Sequence, residues 1–153
     1  VSEGAIMQVA EQQAVYHLGG SKALGRRVDN LIDLAELIEA GVPRRAADLL
    51  RAHLQLSERE WARCLGVSTK TLQRQSKDAQ KRLTLAQGDR LYRLARIAGL
   101  AEGVFEDVQR TCDWLREPQR GLGNRVPLDL LQTEAGAREV EDLLGRIEYG
   151  VLS

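Results

Sequence analysis

SEREWARCLGVSTKTLQRQSK, Ser57 to Lys77, decides how this chain is built. Ser57 and Glu60 stand at capping-box spacing, so a helix starts directly behind Ser57. Gly66 stops it, because glycine takes a positive φ at no steric cost. Ser68 can cap a second helix, which the pattern extends through TKTLQRQSKDAQKRL, Thr69 to Leu83. Ala62 falls where the two helices would cross and is small enough to let them approach. Trp61, Leu65, Val67 and Leu72 supply apolar contacts to fix a near-perpendicular pair. Residues 58–77 thus fit a helix-turn-helix template. Its second helix would present Ser68, Thr69, Lys70, Thr71, Gln73, Arg74 and Lys77, donors and acceptors suited to base edges and phosphates. The competing reading is a helix pair that packs or dimerises and binds nothing.

Charge separates the chain into three parts, although the net charge is zero. Residues 1–40 carry 3 basic and 6 acidic groups, residues 41–100 carry 13 and 5, and residues 101–153 carry 6 and 11. A basic middle suits a polyanion such as nucleic acid, which the acidic ends would repel. Ordinary helical surface charge is the bland alternative. One helix-turn-helix offers few contacts, so a homodimer on a two-fold site is the expected form.

Outward from the helix pair the pattern stays helical, which predicts an all-α fold. GAIMQVAEQQAVYHLGG, Gly4 to Gly20, forms either a helix ending at Gly19-Gly20 or an arm that orders only in an oligomer. NLIDLAELIEAG reads as a helix closed by Gly41, and Pro43 suits the first turn of the next, PRRAADLLRAHLQL. Thr84 and Gln87 repeat the capping-box spacing before GDRLYRLARIAG. GVFEDVQRTCDWLREP would bury Val104, Phe105, Val108, Cys112 and Leu115 on one face and end at Pro118. The last helix runs from Ala135 to Tyr149, with a stripe of Ala137, Val140, Leu144, Ile147 and Val151. The expected units are an N-terminal arm or helix over 1–30, a helix-turn-helix module over 31–84 and a second helical domain over 85–153. A bridging helix over 85–99 would join the last two.

Composition sets limits on function. With 43% hydrophobic and 29% charged residues in 153, the chain can bury a core as one domain or two small ones. No apolar run is long enough for a bilayer and no signal-peptide pattern opens the sequence, so the expectation is cytoplasmic, with no membrane partner. Cys64 and Cys112 lie in helical patterns without a CxxC unit and read as buried hydrophobes. His17 and His53 lie apart in sequence, and neither is at ligand spacing with a cysteine or carboxylate. GLGNR follows a helix stop, not a strand, and no phosphate-cradling loop is present. No enzyme activity, catalytic residue, metal or cofactor is therefore expected.

LGNRVPLDLLQTEAG, Leu122 to Gly136, carries pattern without chemistry. Gly123, Asn124 and Pro127 shape a turn, with Pro127 at the first helical position, and Leu128, Leu130 and Leu131 are core or interface. This stretch and its surroundings resemble the toxin-binding domain of Xre/MbcA/ParS-type antitoxins. The resemblance rests on Trp114-Leu115, Pro118, Leu122-Gly123, Pro127, Leu130-Leu131, Thr133, Gly136, Val140, Leu144, Ile147 and Tyr149-Gly150. DRLYRLARI, Asp89 to Ile97, is similar to the segment that precedes that domain. With the Xre-like helix-turn-helix, the resemblance covers roughly residues 30–153. Asn124 departs from the glycine more frequent in the family, but asparagine tolerates the left-handed conformation. Trp114 reads as core.

The resemblance implies the antitoxin of a type II toxin–antitoxin pair. Such a protein neutralises a cognate RES-domain, NAD-consuming toxin by covering its active site, and represses its own operon through DNA binding. Toxin and antitoxin would assemble into a higher hetero-oligomer. From the residues alone, Gly150 breaks the last helix, and the apolar tail could enter a pocket made for an anionic dinucleotide. A frayed end, or Tyr149 and Val151 closing their own core, is the alternative. In the family the carboxy-terminal end lies at or near the toxin active site, so the resemblance assigns toxin binding to Tyr149, Gly150, Val151, Leu152 and Ser153. The competing function is a plain transcriptional regulator whose second domain dimerises or binds an effector.

Overall fold

Side-chain caps set where the helices begin. Asn30 Oδ1 accepts from Asp33 N at 2.8 Å, Ser57 Oγ from Glu60 N at 3.1 Å, and Ser68 Oγ from Thr71 N at 3.0 Å. Thr84, Asp107 and Thr133 do the same further on. Each occupies a backbone donor that the first turn would leave unpaired, worth about 1 kcal/mol. Ser57–Glu60 and Thr84–Gln87 are both complete capping boxes.

The computed structural model describes residues 7–78 and 81–150 and is all-α. Its helices are α1 Val9–His17, α2 Gly20–Leu24, α3 Leu31–Ala40, α4 Arg44–His53, α5 Glu58–Leu65 and α6 Thr69–Ser76. There follow α7 Leu85–Phe105, α8 Val108–Arg116, a 3-10 turn Arg120–Leu122, α9 Pro127–Leu130 and α10 Glu134–Glu148. No helix among the described residues is long and apolar enough to cross a membrane.

The long helix α7 is the centre of the packing. Leu91, Leu94, Ala95, Ile97, Ala98 and Ala101 are buried along it. Helix α1 lies against it so closely that a Cβ on Gly99 would meet Gln13 Cβ at 2.8 Å. Val9–His17 is helical, and the short α2 follows after Gly19 turns the chain at φ 90°. Cys64 and Cys112 are free and buried, and burial pushes the Cys64 thiol up to about 12.

Three boundaries differ from the sequence reading. Helix α6 stops at Ser76, short of the expected Leu83. The Arg44 guanidinium takes the carbonyls of Gln75 and Asp78, and further on Arg82 forms an isolated antiparallel bridge with Pro43. There Leu83 N donates to Val42 O at 2.9 Å and Arg82 Nη1 to Gly41 O at 2.8 Å. Helix α7 continues past Gly99 to Phe105, so Val104 and Phe105 do not share a helix with Cys112. Glu106 breaks it at φ 53° and Asp107 caps α8, which buries Thr111, Cys112 and Leu115 and leaves Val108 41% exposed. Pro43 occupies the cap position, one residue before α4.

Arg116 locks α8 to the helix pair. Its Nε donates to Glu60 Oε2 at 3.0 Å, and its Nη2 to Leu54 O at 3.2 Å and to Gln55 O. Burial alone would raise the Glu60 carboxyl, but hydrogen bonds from Arg116 and Ser57 outweigh it and hold it below its ordinary value. A carboxyl depressed in the folded state stabilises fully above its unfolded pKa and loses that contribution as pH falls through the folded one. Arg116→Ala is therefore expected to cost about 1–2 kcal/mol at neutral pH. The deficit should narrow under acid, measured as urea midpoints from pH 7 down to pH 3.

Candidate functional site

The helix pair is built as its residues require. Trp61, Ala62, Leu65 and Leu72 are buried, with Val67 half-buried between the helices. Gly66 ends α5 at φ 72°, and a Cβ there would lie 1.3 Å from Arg90 Nη1. Arg90 occupies that space to donate to Leu65 O at 3.3 Å, which ties the turn to α7. Arg90, and Arg44 at the end of α6, are functional contacts that the sequence does not mark. Both act on carbonyls distant in sequence, which no local pattern announces.

The seven candidate residues of α6 and its cap divide into two groups. Ser68 Oγ donates to Thr71 Oγ1 at 3.0 Å and also accepts from Thr71 N, so these two are engaged in capping. Gln73 Nε2 donates to Glu58 Oε1 at 2.6 Å. Thr69, Lys70, Arg74 and Lys77 are exposed. Among the described residues, Lys70, Arg74 and Lys77 enter no ion pair. Lys70, Gln73, Arg74 and Lys77 recur at three- and four-residue spacing, which places them on one outward face.

The second module rests on a tight loop. Gln119 N donates to Arg125 O at 3.0 Å and Asn124 N to Gln119 O at 2.9 Å, closing residues 119–125. Gly123 and Asn124 both take the left-handed conformation, at φ 65° and 64°, so asparagine meets the demand placed on glycine there. Pro127 opens α9, and Leu128 and Leu131 are buried, which makes them core. Trp114 is half-buried against Phe105, ring centroids 5.5 Å apart. A salt bridge and a hydrogen bond fasten the module to α7: Arg96 reaches Glu141 at 2.7 Å, and Arg93 Nη1 donates to Leu131 O at 3.0 Å. Arg63–Asp129, at 2.9 Å, ties α9 to α5.

Helix α10 buries Ala137, Val140 and Leu144 on the expected stripe. Tyr149 does not close that core: it stands 80% exposed beside Glu141, Asp142, Gly145 and Arg146. Gly150 turns the chain at φ 72° and is exposed. Val151, Leu152 and Ser153 lie outside the described residues.

The two histidines, distant in sequence, meet in space. His17 Nε2 lies 2.9 Å from Glu102 Oε2, and His53 Nε2 contacts Oε1 of the same carboxylate. Burial pushes the His17 imidazole below its ordinary value, and the Glu102 charge offsets only part of this.

The fold is all-α, with a helix-turn-helix and an appended helical module both fastened to one long helix. Residues 33–96 match the antitoxin Xre-like helix-turn-helix domain, and residues 100–150 match the antitoxin Xre/MbcA/ParS C-terminal toxin-binding domain. The antitoxin Xre of Yersinia enterocolitica is 33% identical over 121 residues, covering 78% of this chain and 81% of that relative. The antitoxin Xre of Photorhabdus laumondii is 29% identical over 121 residues, 78% of this chain and 81% of its own. The Prs ADP-ribosylating antitoxin of Sphingobium sp. strain YBL2 is 29% identical over 133 residues, 80% and 82% of the two chains. The chain belongs to the Xre antitoxin family.

Gly136 is the packing point on which the second module turns. A Cβ there would lie 2.0 Å from the backbone oxygen of Leu130, which cannot rotate away. Gly136→Ala is expected to cost about 3 kcal/mol. Loss of amide-exchange protection should be concentrated in residues 119–148, and uniform protection would contradict the assignment.

Proposed function

We propose that the chain neutralises a RES-domain, NAD-consuming toxin by covering its active site with the end that begins at Tyr149, and represses its own operon through α6. Tyr149 carries the first half of this reading. A large aromatic side chain left 80% exposed at the end of a helix within the segment matched to a toxin-binding domain is a ready interface anchor. Exposed Glu139, Asp142 and Glu148 on the same helix would complement the basic mouth of an enzyme that takes an anionic dinucleotide. The name of the Sphingobium relative supports the cofactor class, since ADP-ribosylation draws ADP-ribose from NAD. The tail Gly150, Val151, Leu152 and Ser153 would continue from Tyr149 into the active site. The turn at Gly123, Asn124 and Pro127 serves to aim it.

Co-expression with the toxin encoded beside it tests this half. Deleting residues 150–153 should abolish rescue of growth while operator binding persists. Tyr149→Ala should weaken the complex by about tenfold or more, a loss of about 1.4 kcal/mol. Full rescue by the truncated chain would falsify occlusion by this end.

The basic face of α6 supports the second half. Lys70, Arg74 and Lys77 stand ready for phosphates and guanine edges, whereas Ser68, Thr71 and Gln73 must first leave partners inside the protein. A homodimer neutralising about 6 phosphates gives a log–log salt slope near −5. Lys70→Ala with Arg74→Ala should flatten that slope and remove operator binding while toxin neutralisation survives. Retention of both activities would show that α6 is not the reading helix and favour a packing role for the pair.

A further inference from the structure

Three potential metal-ligand atoms converge at a place that neither proposed activity uses. His17 is the last residue of α1, His53 the last of α4, and Glu102 sits in the final turns of α7. One nitrogen from each ring and one carboxylate oxygen lie within 4.8 Å of one another. The two imidazoles stack at 4.7 Å between centroids, so both rings present an edge to the same carboxylate. The His17 and Glu102 side chains are only 5% and 19% exposed, and His53 31%. His17 belongs to neither segment matched to the family, whereas His53 and Glu102 fall one in each.

The geometry is incomplete as a hydrogen-bond arrangement. His17 Nε2 is buried and 2.9 Å from Glu102 Oε2, yet makes no aligned hydrogen bond. An imidazole nitrogen that faces a carboxylate at this distance either donates a proton to it or, with a cation between them, offers its lone pair. A surface concavity lined by Tyr16, His17, Gly19, Gly20, Leu49 and His53 opens beside the two rings. Two imidazoles, one carboxylate and a water suit four-coordinate Zn2+ and similar borderline ions, whereas Ca2+ and Mg2+ want all-oxygen shells.

We propose that His17, His53 and Glu102 bind one divalent transition-metal ion of the zinc class, which clamps the N-terminal helix to α4 and α7. The three ligands come from three elements, so one ion joins α1, α4 and α7 at the point where the Glu102 carboxylate already meets both histidines. Binding requires the docked α1 and therefore stabilises it by mass action.

The test uses the full chain without a histidine tag, stripped with chelator and titrated with Zn2+ by calorimetry, and with Co2+ as an absorbing probe. One ion per chain is expected, with slower amide exchange across residues 9–17 when it is bound. His53→Gln should weaken binding about 100-fold or more, since even partners outside the coordination shell are worth 10–100-fold. Glu102→Gln can still hydrogen-bond both rings, so it keeps the fold while reducing affinity. His17→Ala should do the same where it folds. Absence of stoichiometric Zn2+ uptake by the wild-type chain would overturn the site. So would equal binding by the His53→Gln and Glu102→Gln variants, leaving a carboxylate that merely docks two histidines.

Discussion

Burial of α7 is the constraint on which the other elements depend. A helix with Leu91, Leu94, Ala95, Ile97, Ala98 and Ala101 all buried cannot stand alone in water. It needs neighbours on several faces, and the rest of the chain supplies them. Helix α1 covers one side, made possible by Gly99. The helix pair is tied to it by Arg90, and the second module by Arg93 and Arg96. Apolar area does most of the work, and the arginines choose which carbonyls and carboxylates come into register.

This arrangement gives the two modules a rigid common axis. Arg116–Glu60, Arg63–Asp129 and Gln132 on Arg63 O, at 2.6 Å, cross directly between them. The exposed face of α6 and the projecting Tyr149 are therefore held in fixed relation, although neither touches the other's supporting loop.

Much of the chain was legible because its signals are local. Ser57–Glu60 and Thr84–Gln87 act over three residues, and both capping boxes form where their spacing indicates. Gly66 and Asn124 take the positive φ their turns demand. The stripe Ala137, Val140, Leu144 follows the helical period, and its burial needs only a partner surface. The misread boundaries have non-local causes. Helix α6 ends early because Arg44, 31 residues upstream of Gln75, takes its carbonyl. The break at Glu106 was hidden because VFEDV keeps a helical apolar rhythm while Asp107 caps a new helix within it.

The sequence by itself determined the all-α class, the helix-turn-helix and the turn around Gly123 and Asn124. Capping, period and left-handed tolerance are properties of neighbouring residues. Only the tertiary structure decided which groups meet across helices. It left Tyr149 in solvent while its stripe turned inward. It also brought His17, His53 and Glu102 within reach of one point, though 36 and 49 residues separate them along the chain. Such meetings depend on how α1 and α4 pack on α7, and packing is a sum over the whole core that no short stretch contains.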